Sequence, residues 1–200
     1  ANIMMEERPE NDPLRKDLEL IVEQANRCKK IVSGLLNFAR KNQVNLTETH
    51  LEQLVQRSLD SVVKPDNVKT RMISEMKDPI CFLDQEQMMQ VLTNLEKNAI
   101  EAMPPEGGEI TVTLKDNLHE VIIKVADTGI GIEKENMDKL FTPFYTTKEL
   151  GKGTGLGLPL IYGIVKMHKG QISVMSNNNK EEGPTGTIFT ITLPRNPNSV

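Results

Sequence analysis

The segment Asn94-Leu95-Glu96-Lys97-Asn98 places two asparagines four residues apart. If the segment is helical, both amide side chains project from the same face. An amide oxygen is a neutral, hard ligand, and it suits a Mg²⁺ ion that already carries phosphate oxygens. The pair also fits a solvated helix surface, so it indicates a metal site only in combination with other features.

A single carboxylate follows the mostly apolar stretch Val121 to Ala126, in the motif Asp127-Thr128-Gly129-Ile130-Gly131. A strand of this kind would deliver the carboxylate to the floor of a pocket. A carboxylate only accepts hydrogen bonds, so it can select an exocyclic amino group such as that of adenine. The neighbouring glycines let a flat ring approach the backbone closely. The same motif also occurs in plain turns.

Aromatic, hydroxyl and cationic residues are concentrated in Phe141-Thr142-Pro143-Phe144-Tyr145-Thr146-Thr147-Lys148. Three of the chain's seven aromatic residues (five Phe, two Tyr and no Trp) fall in this segment. A hydrophobic anchor for a loop would explain the aromatic rings. It would leave Thr146, Thr147 and Lys148 unexplained, so the segment is predicted to do more than anchor a loop.

The glycine-rich segment Gly151-Lys152-Gly153-Thr154-Gly155-Leu156-Gly157-Leu158 opens directly into a predicted helix. Several backbone N–H groups would meet at that helix N-terminus, where anions bind favourably. The segment is not a P-loop, because the GK[ST] ending is missing, and its GxGxGxG spacing differs from that of a dinucleotide fingerprint. Such a loop can also be a simple hinge.

Caps, periodicity and turn residues predict the elements that position these segments. Thr49-His50-Leu51-Glu52 has the form of a capping box and predicts a helix to about Val63. Asp84 is predicted to cap a second helix, which continues to Ala102 and carries the asparagines. Further helices are predicted over Glu133 to Leu140 and Leu156 to His168, and strands over Val68 to Met76, Ile80 to Leu83, Glu109 to Lys115, Leu118 to Ala126, Gln171 to Ser176 and Gly186 to Leu193. Helices and antiparallel strands in this order imply an α+β fold, a two-layer α/β sandwich.

A long helix is predicted upstream of this unit. Asp12 followed by Pro13 is a helix start signal, and apolar residues follow at a 4-3-4-3 spacing from Leu14 to Ala39. At about 1.5 Å per residue the helix would run roughly 40 Å. That length exceeds what a domain of this size usually covers, which favours an intermolecular bundle over packing on its own domain.

The composition is that of an ordinary globular chain, with 38% hydrophobic and 26% charged residues. The net charge of -4 argues against a general nucleic-acid binder. No apolar run approaches the ~18 residues that span a bilayer, and no signal peptide is found. Cys28 and Cys81 lack metal-ligand spacing and are predicted to be buried, reduced thiols of a cytoplasmic chain.

The four segments together resemble the conserved boxes of histidine kinases. Asn94 to Met103, Asp127 to Gly131, Phe141 to Lys148 and Gly151 to Leu158 are similar to the N, G1, F and G2 boxes, in the same order. These kinases belong to the GHKL superfamily, which also holds gyrase, mismatch-repair and heat-shock chaperone ATPases. The resemblance covers about Val44 to Pro194. The helix that ends in Ile31-Val32-Ser33-Gly34-Leu35-Leu36-Asn37-Phe38-Ala39-Arg40 resembles the second helix of the kinase dimerisation domain.

This resemblance implies a Bergerat (GHKL) ATP-binding fold, a mixed, mostly antiparallel sheet with helices on one face, preceded by the long N-terminal helix. It divides the sequence into residues 1–41, a partial dimerisation and phosphotransfer helix without its acceptor helix, and residues 42–200, the catalytic ATP-binding domain. Both the fold and this boundary are expectations for the structure.

The resemblance also implies a role for each residue of the boxes. Asn98 is expected to ligate Mg²⁺ and Asp127 to bind the adenine amino group, while Lys148 meets phosphate. The stretch Thr142 to Lys152 is expected to form a lid over ATP. The residues implied to bind the nucleotide are Asn94, Asn98, Asp127, Gly129, Gly131, Thr146, Thr147, Lys148, Gly153, Thr154, Gly155, Leu156 and Gly157, with Asn98 and Lys148 catalytic and Asn98 the metal ligand.

Two positions depart from related patterns. Many histidine kinases carry a basic residue three positions after the magnesium asparagine, where this chain has Glu101; the run Asn98-Ala99-Ile100-Glu101-Ala102 instead resembles the nitrogen-regulatory type. GHKL enzymes that hydrolyse ATP place a glutamate one turn before that asparagine to activate water, and here Asn94 stands there. This favours transfer to a protein histidine over hydrolysis.

The resemblance further implies ATP and Mg²⁺ as cofactors, transfer of the γ-phosphoryl group to a histidine of the dimerisation domain, and relay to an aspartate of a response regulator receiver domain. It implies a homodimer through the N-terminal helix, a cytoplasmic location, membrane attachment only through regions outside this sequence, and no nucleic-acid partner. His50, His119 and His168 lack the family's acceptor box and are predicted to be surface or packing residues. This chain is therefore not expected to autophosphorylate without a separate domain that supplies the acceptor histidine.

Two other functions fit parts of the pattern. An anti-sigma-factor serine kinase shares the superfamily, but it lacks a long heptad helix such as Pro13 to Arg40. A nucleotide-sensing interaction module without chemistry is disfavoured by the intact Asn98, Asp127 and glycine loop.

Overall fold

The computed structural model describes residues 12, 14–22, 24–25, 44–148 and 153–197. Residues 14–22 and 24–25 are helical, and Asp12 begins this helix because its Oδ1 accepts the N–H of Leu14 at 2.9 Å. The rest of the predicted heptad helix, including Cys28, and the expected boundary after residue 41 lie outside the described residues.

From residue 44 onward, strands and helices follow in nearly the predicted order. The elements are β1 Thr47–His50, α1 Leu51–Ser61, β2 Val68–Ser74, β3 Ile80–Leu83, α2 Gln85–Glu101, β4 Gly108–Asp116, β5 Glu120–Asp127, a 3-10 helix Lys134–Lys139, α3 Gly157–Met167, β6 Gln171–Asn177 and β7 Gly186–Pro194. The short acidic helix is therefore a 3-10 helix, and β1 is a strand that the sequence did not reveal.

Five strands form one sheet in the order β2-β4-β5-β7-β6. β2 runs parallel to β4, and the other neighbouring strands pair antiparallel. β1 and β3 form a separate two-stranded antiparallel ribbon. The expected mixed, mostly antiparallel sheet is confirmed.

The helices cover one face of this sheet. In β4 the alternate residues Ile110, Val112 and Leu114 are fully buried, whereas the residues between them are partly exposed. The buried side chains join Leu92 of α2 and Ile161 of α3 in a single core cluster. Burial of each such side chain stabilises the fold by roughly 1.5–3 kcal/mol. This arrangement confirms the two-layer sandwich.

The predicted capping box at the start of α1 is wrong. Thr49 lies in β1, and its hydroxyl donates to the carbonyl of Thr47 at 3.0 Å rather than capping a helix. α1 begins at Leu51, whose N–H donates to the carbonyl of Pro79 at 2.9 Å. A backbone carbonyl of the loop before β3 thus accepts a hydrogen bond from the N-terminus of α1, where the sequence had predicted a side-chain cap.

The cap of α2 is confirmed, and a buried histidine supports it. Asp84 accepts the N–H of Gln87 at 3.0 Å through Oδ1. The Asp84 N–H in turn donates to Nε2 of His168 at 3.0 Å, while Nδ1 of His168 lies 2.8 Å from the carbonyl of Ile164 and therefore carries the proton. Burial lowers the pKa of His168, so this histidine is a neutral packing residue, as predicted.

Cys81 of β3 lies just before this cap and is 1% exposed. Burial raises its pKa to about 11, so the side chain remains a thiol at neutral pH. None of the helices in the described part of the chain has both the length and the apolar composition of a membrane span.

Arg195 directly follows β7 and stabilises the end of the sheet opposite the carboxyl end of β5. Its guanidinium donates to Oδ2 of Asp116 at 2.6 Å and to the carbonyl of Ile80 at 2.5 Å. The Asp116 carboxylate also accepts the N–H groups of Lys77 at 2.9 Å and Asp78 at 3.1 Å. The backbone hydrogen bond from Lys77, followed by that from Asp78 and the charge of Arg195, lowers the pKa of Asp116.

We expect Asp116→Asn to lower the melting temperature at neutral pH by roughly 3–6 °C, because charge-assisted hydrogen bonds are lost. A carboxyl with a lowered folded pKa stabilises the protein above its unfolded pKa of about 3.9, and this contribution disappears as the pH falls through the folded value. In thermal melts, the difference in melting temperature between wild type and Asp116→Asn should therefore become smaller below pH 4. Asp66→Asn, at an exposed turn, is the matched control; an equal effect of both substitutions would contradict the assignment.

Candidate functional site

A cleft of about 730 Å³ lies between α2, the carboxyl end of β5, the 3-10 helix and the start of α3. All four segments selected from the sequence contribute to its lining. The expected site residues that line it are Asn94, Asn98, Asp127, Gly131, Thr146, Thr147, Lys148, Gly153, Thr154, Gly155 and Gly157. Within the described part of the chain, Gly129 and Leu156 are not among the lining residues.

The helix α2 presents both asparagines to the cleft. Its opposite face carries Met88, Leu92 and Leu95, which are at most 1% exposed and belong to the core. Burial of that apolar face fixes the rotation of the helix. Asn94 and Asn98 consequently line the cleft one turn apart.

Asp127 is the last residue of β5, and its carboxylate has one oxygen engaged by the fold. Oδ1 accepts the N–H of Gly129 at 2.8 Å and the N–H of Thr187 at 3.2 Å. Among the described residues no hydrogen bond to Oδ2 is found, and Asp127 lines the cleft. Burial raises the pKa of Asp127, and the two backbone hydrogen bonds oppose that shift.

The turn after Asp127 depends on close backbone packing. A Cβ on Gly129 would lie 2.6 Å from the carbonyl oxygen of Ala102, the acceptor of the Ile130 N–H at 2.9 Å. Gly131 has φ +75°, and a Cβ there would lie 2.1 Å from the carbonyl oxygen of Asn177. Gly129 thus shapes the turn from behind and is absent from the cleft lining, although it was predicted among the nucleotide-binding residues.

Two residues with positive φ close the base of the loop between the 3-10 helix and α3. The N–H of Phe144 donates to the carbonyl of Gly155 at 2.9 Å, and the two residues have φ +67° and +64°. A Cβ on Gly155 would lie 2.4 Å from the carbonyl carbon of Phe144. This contact joins the segment ending at Lys148 to the glycine segment, so both reach the same cleft.

Lys148 and Glu101 form an ion pair at the rim of the cleft. Both side chains are partly exposed, at 39% and 51%, so the pair contributes little stability. The acidic residue that departs from the usual kinase pattern therefore contacts the lysine that the resemblance assigns to phosphate. The sequence showed both residues, but their contact depends on how the loop folds back over α2.

A second network at the cleft was missed by the sequence analysis. The hydroxyl of Tyr145 bonds to Oδ1 of Asn136 at 2.5 Å, and Nδ2 of Asn136 donates to Glu133 at 3.1 Å. Asn136 is only 9% exposed, and all three residues line the cleft. They fasten the aromatic segment to the 3-10 helix. A buried asparagine in a short polar helix gave no distinctive signal.

Thr187 and Phe189 of β7 also line the cleft and were not anticipated. Thr187 lies directly opposite Asp127 in the antiparallel pair β5–β7, although 60 residues separate them in sequence. Only strand register brings them together, and register across such a separation cannot be deduced from a local pattern.

Known proteins resemble this chain in sequence and in fold. A family model described as histidine kinase-, DNA gyrase B-, and HSP90-like ATPase matches residues 83–197. Sporulation kinase E of Bacillus subtilis (strain 168) is 38% identical over 180 residues, which cover 88% of this chain and 23% of that protein. Sensor histidine kinase ZraS of Escherichia coli (strain K12) is 33% identical over 199 residues, 98% of this chain and 41% of that protein. The chain thus spans less than half the length of these relatives.

Solved structures give the same result. The nucleotide-free catalytic domain of histidine kinase ThkA has a TM-score of 0.66 and 30% identity, and the match covers 78% of this chain and 99% of that domain. A crystal structure of ThkA in complex with the response regulator protein TrrA has a TM-score of 0.73 and 26% identity, covering 99% of this chain and 56% of that one.

Proposed function

The chain belongs to the histidine kinase-, DNA gyrase B- and HSP90-like ATPase family, and we propose that it is the ATP-binding catalytic part of a sensor histidine kinase. In this function it transfers the γ-phosphoryl group of ATP to a histidine on a dimerisation domain, for relay to the aspartate of a response regulator. The observation that carries the proposal is one cleft of about 730 Å³ that is lined by both the carboxylate of Asp127 and the asparagine pair of α2.

The residues of the cleft fit ATP on three counts. The Oδ2 atom of Asp127 is an acceptor without a hydrogen bond from the described residues, and it suits the amino group of adenine. Gly131 and Gly155 have positive φ and pack against the backbone of Asn177 and Phe144, where a Cβ would clash, so they fix the loops that line the cleft. Gly157 begins α3, where backbone N–H groups favour phosphate.

The polyphosphate end of the nucleotide is assigned to the α2 side of the cleft. Asn98 would hold Mg²⁺ through its amide oxygen, with Asn94 one turn earlier on the same face. Mg²⁺, when bound, neutralises phosphate oxygen charge during transfer. Lys148 would exchange Glu101 for phosphate when ATP enters, while Thr146 and Thr147 flank the nucleotide. Gly153, Thr154 and Leu156 complete the loop at its phosphates.

Transfer to a protein is favoured over hydrolysis by the groups that line the cleft. The position one turn before Asn98 carries Asn94, whose amide cannot take a proton from water. Glu133 accepts a hydrogen bond from Asn136. Glu101 stands three residues after Asn98 rather than one turn before it, so neither carboxylate occupies the position of the water-activating glutamate.

The parts of the wider protein follow from the same proposal. Residues 1–41 would be the second helix of the dimerisation domain and residues 42–200 the catalytic domain. The parent would act as a homodimer through that helix, on the cytoplasmic side of any membrane that it is attached to. The ThkA–TrrA complex, a structure of similar fold, supports a response regulator as partner.

The proposal predicts phosphotransfer in trans. We expect the chain, mixed with γ-labelled ATP, Mg²⁺ and a separate dimerisation domain that bears the acceptor histidine, to label that domain with acid-labile phosphate. A dimerisation domain with His→Ala at the acceptor is the control and should stay unlabelled. Tight ATP binding without any label would overturn the kinase assignment, and acid-stable label on a serine of an added protein would indicate a serine kinase instead.

A further inference from the structure

Thr187 adjoins Asp127 at the floor of the cleft. It lies opposite Asp127 in the β5–β7 pair, lines the cleft and is only 3% exposed. Its backbone N–H donates to the Asp127 carboxylate at 3.2 Å. A ligand bound at Asp127 would therefore also lie beside Thr187.

Ser176 of β6 fixes the direction in which that hydroxyl points its hydrogen. Oγ of Ser176 lies 2.8 Å from the carbonyl oxygen of Gly186. Because a carbonyl only accepts, the single hydrogen of the Ser176 hydroxyl is donated there. Oγ of Ser176 also accepts the N–H of Ile132 at 2.9 Å.

The contact between the two hydroxyls then has only one direction. Oγ of Ser176 lies 2.9 Å from Oγ1 of Thr187, and since Ser176 has already given its hydrogen, Thr187 is the donor. The hydroxyl hydrogen of Thr187 therefore points toward Ser176 of β6 and away from Asp127 of β5, on the other side of β7. The Thr187 oxygen keeps its lone pairs, so it can meet the cleft only as an acceptor.

We infer that Ser176 is a positioning residue for base recognition. Because Ser176 accepts the hydrogen bond that the Thr187 hydroxyl donates, Thr187 and Asp127 are left as two neighbouring acceptors at the floor of the cleft. This inference rests on the proposed ATP binding and deepens it. An acceptor there requires an N–H donor of the base or an O–H donor of a water that the base holds. A 6-aminopurine supplies a donor at position 6 and an acceptor at N1, whereas a 6-oxopurine places an acceptor at position 6 and its donor at N1, so it is at position 6 that the two bases differ for these acceptors.

The test compares the dissociation constants for ATP and for inosine triphosphate, which carries an oxo group in place of the 6-amino group. In Ser176→Ala the Thr187 hydroxyl is free to rotate and to donate toward the oxo group. We expect the dissociation constant for inosine triphosphate, divided by that for ATP, to fall about tenfold, the size of one neutral hydrogen bond. Ser173→Ala, on the exposed side of the same strand, should leave the ratio unchanged.

A double-substitution cycle separates this role from a general loosening of β6. Thr187→Val removes the hydroxyl but keeps the backbone N–H that binds Asp127. In this background Ser176→Ala should change the ratio less than about twofold. The same tenfold change in both backgrounds, or no change in the wild-type background, would overturn the role of Ser176. Failure of the wild-type chain to bind either nucleotide would instead reject the proposed function.

Discussion

Asp127→Asn should weaken ATP binding by at least about 100-fold while leaving the fold intact. The amide oxygen of asparagine can replace Oδ1 and keep the two backbone N–H bonds from Gly129 and Thr187. The amide nitrogen then takes the place of Oδ2 and turns a donor toward the cleft, where the amino group of adenine is also a donor. Calorimetric titration with ATP and Mg²⁺ measures the loss.

Asp116→Asn serves as the matched control for this experiment. Asp116 lies at the opposite end of the β4–β5 pair, beside Val121, whereas Asp127 lies beside Ile110. Its substitution should lower the melting temperature and leave the ATP dissociation constant unchanged. If Asp127→Asn bound ATP as tightly as wild type, with an unchanged melt, adenine recognition would have to be placed elsewhere in the cleft.

Local signals were sufficient for the elements that carry the site. The Asp84 cap and the apolar face of α2 fixed both the position of that helix and the side on which Asn94 and Asn98 project. The apolar stretch before Asp127 fixed the end of β5, because a buried strand followed by glycines ends at the first turn. These are interactions between near neighbours in sequence, and they survive folding unchanged.

Features that depend on distant pairing were not predictable. The strand β1 is four residues long and exists only because it pairs with β3, so its residues were mistaken for a helix cap. The contact of Thr187 with Asp127 requires the register of β7, and the pair Glu101–Lys148 requires the loop to fold back on α2. Each of these contacts is a consequence of the closed fold rather than of any short pattern.

Asn98→Ala should lower the rate of phosphoryl transfer to a supplied dimerisation domain by about 100- to 1,000-fold, the usual cost of removing one group that stabilises transition-state charge. ATP binding should weaken less, because Asp127 and the glycine loop remain. The binding that survives should also lose its dependence on Mg²⁺: wild type is expected to bind ATP more tightly with Mg²⁺ than with a chelator, and the variant about equally in both.

Two further substitutions on the same face of α2 extend this experiment: one at Asn94, one turn before Asn98, and one at Gln90, two turns before it. Gln90 stands at the same helical phase as Asn94 and Asn98 but lies outside the cleft lining, so Gln90→Ala should leave both transfer and Mg²⁺ dependence unchanged. Asn94→Ala should fall between the two, because it lines the cleft but is not the assigned ligand. A larger loss of Mg²⁺ dependence in Asn94→Ala than in Asn98→Ala would move the metal ligand to Asn94, and no loss in either would remove the metal from α2.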